Sequence, residues 1–206
     1  MTKHTFSPIV GLAGGIGSGK STITKLFNAI GIQSVDADDV AREVVLPGSE
    51  CLIKIREHFG ESILLPEGTL DRKALREIIF QDPNERVWLE SITHPSIRQR
   101  IAEQLAKSTS IYTLLVHPLL FETGQDRLCQ LTVAIDVPEA LQINRIISRD
   151  NTTTQQAKSI IATQLSNEER LQRSDLTLKN NSHLIDLDDK VINLHKCILE
   201  QLNARV

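Results

Sequence analysis

The segment Gly14-Gly15-Ile16-Gly17-Ser18-Gly19-Lys20-Ser21 carries the plainest chemistry in the chain, because it fills every fixed position of G-x-x-x-x-G-K-[ST]. Glycines let successive backbone N–H groups turn inward with no Cβ in the way, so such a loop wraps anionic oxygens and delivers them to a helix N-terminus. Lys20 is placed to neutralise the β- and γ-phosphates of a nucleotide, and the Ser21 hydroxyl to ligate Mg²⁺. A merely flexible glycine turn has no need of Lys-Ser at the start of a helix. The expected ligand is ATP or GTP.

Two further groups bear on what the nucleotide is for. Asp36-Ala37-Asp38-Asp39 closes a short apolar stretch, at the edge of an open parallel sheet where ligands bind. Asp36 and Asp39 are equally suited to cap a helix expected to begin near Val40, a role worth ~1 kcal/mol. Asp38 suits another task. A carboxylate near a γ-phosphate is repelled unless it accepts a proton or holds a cation, so Asp38 is expected to orient the attacking hydroxyl and take its proton late. The second group is basic: Arg145 and Arg149 lie one turn apart on a helix expected over 139–150, and Arg170 and Arg173 follow beyond a polar stretch. Lid arginines offset charge on a moving phosphoryl group. Any one of them could equally be a solvated residue paired with Glu139 or Asp150.

These residues need a strand before the loop and a helix after it. Ile9, Val10, Leu12 and Ala13 form an apolar run suited to a central parallel strand, and Ser21 to Ile30 reads as a helix stopped by Gly31. Further strands are expected at 33–36, 111–116, 131–136 and, more weakly, 176–178, with a closing helix over 188–202. Alternation of strand and helix implies an α/β fold with a parallel sheet core and helices on both faces. The interval from about Val40 to Ser110 breaks the alternation with helices expected at 72–80, 85–92 and 96–107, and reads as an inserted helical lobe. Asn151 to Gln156 is the most polar stretch, and the helices that follow it resemble a mobile cover more than a core element.

A length of 206 residues, 40% hydrophobic and 24% charged, suits one well-packed domain with a smaller lobe, and the formal net charge of -3 excludes general attraction to nucleic acid or anionic membranes. A small anionic substrate fits better. No apolar run reaches the ~20 residues of a membrane span, and Met1-Thr2-Lys3-His4 leads straight into the first strand, so no signal peptide is expected and the expected location is cytoplasmic. Cys51, Cys129 and Cys197 form no C-x-x-C pair, which argues for reduced thiols over a disulfide framework or zinc site.

Gly11 to Ser21, Asp36-Ala37-Asp38, Ala41-Arg42, Pro47-Gly48, Gly68-x-Leu70-x-Arg72, Ile79-Phe80, His94-Pro95, Pro118-Leu119-Leu120-Phe121-Glu122 and Asp136-Val137-Pro138-Glu139 together resemble the dephospho-coenzyme A kinase family, from Val10 to about Asn181. The resemblance implies transfer of the ATP γ-phosphate to the 3′-hydroxyl of dephospho-coenzyme A, the last step of coenzyme A synthesis, with ATP and Mg²⁺ required. It implies a three-layer P-loop kinase fold with a core at about 1–39, 111–148 and 174–206, a helical substrate lobe at about 40–110, and a helical lid at about 149–173. Asp38 matches the family's proposed base, Lys20 its loop lysine, and Arg145 an arginine reaching the transferred phosphate. Gly17, Ser18, Gly19, Lys20, Ser21 and Thr22 match the ATP-binding stretch, with Gly15, Ile16 and Arg149 beside them. Arg42, Arg72 and His94 are expected, with Asp38, to hold the acceptor; His94 could also be a packed, hydrogen-bonded histidine. No nucleic-acid or membrane partner is implied, and the expected state is a monomer or weak homo-oligomer.

The chain departs from the family's pattern in three places. Many relatives carry Asp where this chain has Val116, followed by His117; Asn180-Asn181-Ser182 replaces a glycine-bearing segment; and Ile160 stands at a lid position often held by arginine. Another P-loop kinase, acting on a nucleoside monophosphate or a sugar, would share the cradle and lid but not the other motifs. A nucleotide switch is the more distant alternative, and the chain has no Asn-Lys-x-Asp for reading guanine.

Overall fold

A computed structural model describes residues 7–181 and 186–205; Met1 to His4 and Ser182, named above, lie outside the described residues. The chain divides into two compact units, Met1–Asp36 with Leu105–Val206, and Ala37–Gln104.

The first unit is built on five parallel strands: β1 (Ile9–Ala13), β2 (Gln33–Asp36), β3 (Thr113–Val116), β4 (Leu131–Asp136) and β5 (Leu176–Lys179), in the order β2-β3-β1-β4-β5. The inner strands β1, β3 and β4 are apolar and buried along nearly their whole length, whereas β2 and β5 at the outside of the sheet each bury one residue fully. Leu12 stands opposite Val116 and Val133, and Asp36 opposite Val116, so the carboxyl ends of β1, β2 and β3 share one edge. Helices α1 (Lys20–Ala29) and α9 (Leu187–Ala204) supply Ile23, Phe27, Val191, Leu194 and Ile198 to one core with the strands. Each large apolar side chain buried there contributes about 1.5–3 kcal/mol. Gly11 shows how closely other residues pack: a Cβ there would lie 2.6 Å from Leu120 and 2.8 Å from Cys129. Strand β3 starts later than expected, since Ile111 is exposed and pairing begins with Thr113, whose N–H donates to the Pro8 carbonyl at 2.8 Å. Three helices, α6 (Glu139–Asp150), α7 (Thr154–Ile161) and α8 (Asn167–Arg173), complete this unit.

The second unit is helical, with α2 (Ala37–Glu43), α3 (Glu50–Phe59), α4 (Arg72–Gln81) and most of α5 (Pro83–Ala106) around Val45, Leu52, Ile55, Ile63, Leu70 and Leu75. Ser49 caps α3 by accepting the Leu52 N–H at 3.2 Å, and Asp71 caps α4 by accepting from Lys73 and Ala74, both at 3.0 Å. Glu43 ties α2 to α5, accepting from Arg100 and, at 2.7 Å, from Gln104.

Two expectations fail here. Helix α2 begins at Ala37, not near Val40, so Asp39 lies inside the first turn and pairs with Arg42 at 2.8 Å instead of capping. The two helices expected at 85–92 and 96–107 are one helix, α5, running through Pro95. Proline removes an N–H and crowds the carbonyl four residues back. The carbonyl left without its N–H partner is that of Ser91; the nearby hydroxyls bond other carbonyls, Ser91 donating to Trp88 O at 2.6 Å, Thr93 to Leu89 O at 2.8 Å and Ser96 to Ile92 O at 3.3 Å.

All three cysteines are free thiols, Cys51 buried and Cys197 exposed; burial, with smaller effects from Asp126 and Asp175, pushes the Cys129 thiol up to about 12. Among the described residues no helix is long and apolar enough to cross a membrane.

Candidate active site

β1 delivers the chain at Ala13 into the glycine loop, and α1 begins at Lys20. Each loop carbonyl from Gly14 to Ser18 accepts from a donor nearby. Lys20 Nζ donates to Gly14 O at 2.5 Å and Gly15 O at 3.2 Å; Gln142 Nε2 donates to Ile16 O at 2.9 Å; Arg145 donates to Gly17 O at 3.2 Å and Ser18 O at 3.4 Å; Asn180 Nδ2 donates to Ser18 O at 2.7 Å. Carbonyls tied off in this way face away from an anion, and the intervening N–H groups are left to face it. Those of Gly17 and Gly19 have no partner among the described residues.

The loop fits a polyphosphate on three counts. Gly17 and Gly19 have φ of 74° and 90°, and a Cβ would come 2.9 Å from the Gln142 carbonyl at the first and 2.4 Å from Asn180 Nδ2 at the second. The start of α1 has no side-chain cap and no acidic residue in its first turn, so the positive end of the helix is left for a ligand. The Ser18 hydroxyl is buried with no partner among the described residues. For Mg²⁺, no cluster of three or more His, Cys, Asp or Glu exists among the described residues. The exposed Ser21 hydroxyl on the first turn of α1 is a hard oxygen that suits a cation otherwise held by phosphates and water.

The segment expected as a mobile cover is tied to this loop by a hydrogen bond to its backbone and by packing against Ile16. Gln164, in the turn after α7, accepts the Ile16 N–H at 2.9 Å. Its neighbour Leu165 donates its N–H to Glu122 at 2.9 Å and accepts from Arg170 at 2.8 Å. Arg170 is only 2% exposed; burial lowers its pKa, and the nearby Glu122 carboxylate opposes that shift. Asn167 donates to Asp136 at 2.8 Å, and Arg173 stacks on Phe121 with its guanidinium 4.8 Å from the ring centroid. Thr153 and Ser166 start α7 and α8 with capping boxes completed by Gln156 and Glu169. The Ile16 side chain packs with Ile143, Ile146 and Ala157.

Of the residues expected from sequence, the loop from Gly15 to Thr22 and Arg145 come together in this unit. Arg149 does not join them: it forms two bonds to Asp150, at 2.7 and 2.8 Å. In the helical unit, Asp38 is exposed in the first turn of α2, and His94 is exposed on α5 beside Pro95. Arg72 donates to the Arg42 carbonyl at 3.5 Å, and its pKa is lowered by burial first and by the Arg42 charge second. The Arg42 guanidinium itself pairs with Asp39, and the positive charge of Arg72 beside it favours an anion. His117, which follows Val116 at the end of β3, is buried and its Nδ1 accepts the Leu119 N–H at 3.0 Å.

Two loop partners escaped the sequence reading, Gln142 and Gln164, while Asn180 and Arg170 figure in it only as a departure from the family pattern and as a lid arginine. Gln142 had a signal, three residues before Arg145 and hence on the same helical face. Gln164 is separated from the loop by more than a hundred residues, and no local periodicity marks it.

Comparison with known proteins agrees with this geometry. The family model described as dephospho-CoA kinase matches residues 8–186. A dephospho-CoA kinase of Idiomarina loihiensis is 46% identical over 91% of this chain and 93% of its own length, and one of Acinetobacter baylyi is 50% identical over 91% and 96%. The solved dephospho-CoA kinase of Campylobacter jejuni superposes with a TM-score of 0.70 at 31% identity, covering 92% of this chain and 96% of that one.

Proposed function

We propose, from the premise that the chain belongs to the dephospho-CoA kinase family, that it transfers the γ-phosphoryl group of ATP to the 3′-hydroxyl of dephospho-coenzyme A. The observation that carries the reading is a glycine loop whose successive carbonyls are all tied off by side-chain donors, in a chain so similar to named dephospho-CoA kinases. The hydroxyl oxygen forms the new bond to the γ-phosphorus, the bond from that phosphorus to the β–γ bridging oxygen breaks, and ADP leaves. Lys20 and the loop N–H groups hold the β- and γ-phosphates, and Arg145 offsets charge as it shifts toward the bridging oxygen. The Ser21 hydroxyl would hold Mg²⁺, which would supply neutralisation of phosphate charge. Asp38 orients the acceptor hydroxyl and receives its proton. Arg42 and Arg72 attract the acceptor's pyrophosphate, and His94 lies on the same lobe. ATP is plentiful in the cytoplasm and the three thiols are unpaired, so we assign the protein to that compartment.

The test is ADP release by the purified protein with dephospho-coenzyme A, adenosine nucleotides or no acceptor. ADP formed only with dephospho-coenzyme A supports the assignment; turnover without acceptor, or on a nucleoside monophosphate, overturns it. Asp38→Asn keeps size and hydrogen-bond capacity but loses the charge, so turnover should fall ~100-fold or more with ATP affinity close to the parent's. An active variant would remove Asp38 from the role of base.

A further inference from the structure

We propose that Gln164 is a positioning residue for nucleotide binding, acting through the Ile16 peptide to hold the phosphate loop in shape and to join it to the α7–α8 segment. This rests on the loop being the ATP site. The Ile16 N–H departs from its surroundings: the neighbouring loop groups bonded to side chains are carbonyls, and this one is an N–H taken by the Gln164 amide oxygen at 2.9 Å.

The consequence follows from which groups remain. Gln142 holds the carbonyl of Ile16 and Gln164 its N–H, so both polar groups of one residue are fixed by two glutamines from different elements far along the chain. With the Ile16 side chain packed among Ile143, Ile146 and Ala157, the residue has little freedom left. The loop then turns at Gly17, where φ is 74°, and presents later N–H groups to the phosphates. Without Gln164 the Ile16 N–H is unsatisfied, and the peptide gains by rotating toward water or toward a phosphate oxygen; either movement pulls the next peptide out of line. Gln164 is itself held in place through Leu165, by Glu122 on one side and the buried Arg170 on the other. A Cβ on Gly15 would lie 2.9 Å from Gln142, 3.2 Å from the Gln164 oxygen and 3.5 Å from Arg170, which places these three side chains around one loop residue.

The experiment compares Gln164→Met, which keeps length without an acceptor, with Gln164→Glu, which keeps the acceptor and adds a charge. ATP affinity is measured by calorimetric titration without acceptor, melting on the nucleotide-free protein, and KM for each substrate in the coupled assay. For Gln164→Met we expect ATP affinity to drop about fivefold or more, the size of one net hydrogen bond, with melting and the acceptor KM unchanged. For Gln164→Glu we expect unchanged melting and a larger loss of ATP affinity, relieved as salt is raised because the added carboxylate repels the triphosphate. A drop in melting temperature with ATP affinity intact would make Gln164 a purely structural contact and overturn the proposal. So would a salt-independent Gln164→Glu, which carries the test alone if Gln164→Met fails to fold. Because the titration contains no acceptor, failure of the wild-type protein to phosphorylate dephospho-coenzyme A would count against the proposed reaction and leave this result readable.

Discussion

The two ends of the parallel sheet are both tied down by side chains, but with opposite polarity. At the amino edge the side chains mostly accept: Gln33 Oε1 takes the N–H groups of Thr109 and Ser110 at 2.7 and 3.2 Å, Ser110 Oγ takes that of Gln33 at 3.1 Å, and Asp175 takes that of Thr132 at 2.8 Å. At the carboxyl edge they mostly donate, with Lys20, Gln142, Arg145 and Asn180 all satisfying carbonyls. The first pattern absorbs backbone donors and leaves little for a ligand. The second absorbs acceptors and leaves N–H groups and cations facing the space where an anion binds. Ligand binding at one end of the sheet thus reflects which half of each peptide the side chains satisfy, more than how many bonds they make.

The sharpest way to break this comparison is Lys20→Ala, which removes the cation bridging Gly14 O and Gly15 O. Turnover should fall by about 10²–10³-fold and ATP affinity should weaken, while circular dichroism and melting remain near wild type. Near-normal turnover would contradict the assignment of the carboxyl edge. Arg145→Ala should cost less, about 10–100-fold and mainly in kcat, because a contact strongest in the transition state shows in turnover. Arg149→Ala serves as its control: paired with Asp150 instead of the loop, it should change kcat less. If both variants altered KM alone, Arg145 would be a binding residue only.

At the amino edge the expectation reverses. Gln33→Ala removes an acceptor used by the Ser108 hydroxyl and two backbone N–H groups, and on this exposed strand should cost roughly 1 kcal/mol of stability. Its kcat and KM for ATP should match the parent; a kinetic defect would mean the two ends are coupled. The smallest effect concerns Tyr112, whose hydroxyl lies 2.7 Å from His195 Nδ1. Burial raises the Tyr112 pKa and lowers that of His195, so near neutrality the phenol donates to a neutral imidazole. The unfolded chain then takes up a proton at higher pH than the folded one, and acidification favours unfolding, starting near the ordinary histidine value of about 6.5 and levelling off below the depressed folded value. Melting temperatures from pH 8 to 5 should show a shallower acid decline in His195→Gln than in the parent.

Much of this architecture is legible without coordinates. The bounds of β2, β4 and α6 follow from apolar runs closed by Asp or by proline, and the loop follows from its glycines and Lys-Ser. The misread elements are those where a local rule was overruled. Pro95 looks like a break, yet one helix runs through it, with Trp88, Leu89 and Ile92 on the preceding turns packed against the core of the helical unit. Arg145 and Arg149 are equivalent by spacing, and only one reaches the loop, because a turn of four residues rotates the helix by about 40° and the neighbouring Asp150 captures the second.

What the sequence by itself determined is the identity of the phosphate cradle, the parallel α/β scaffold and the reacting groups available, because loop conformation and strand burial are local consequences of glycine, of β-branched runs and of a fixed lysine. Which side chains orient the cradle was decided only by tertiary structure. Gln142, Gln164 and Asn180 become its partners because α6, the turn after α7 and the end of β5 bring residues far along the chain to the carboxyl edge of β1. The choice between donating to a loop carbonyl and accepting from a loop N–H depends on positions to within an ångström, which no pattern of residue types along the chain records.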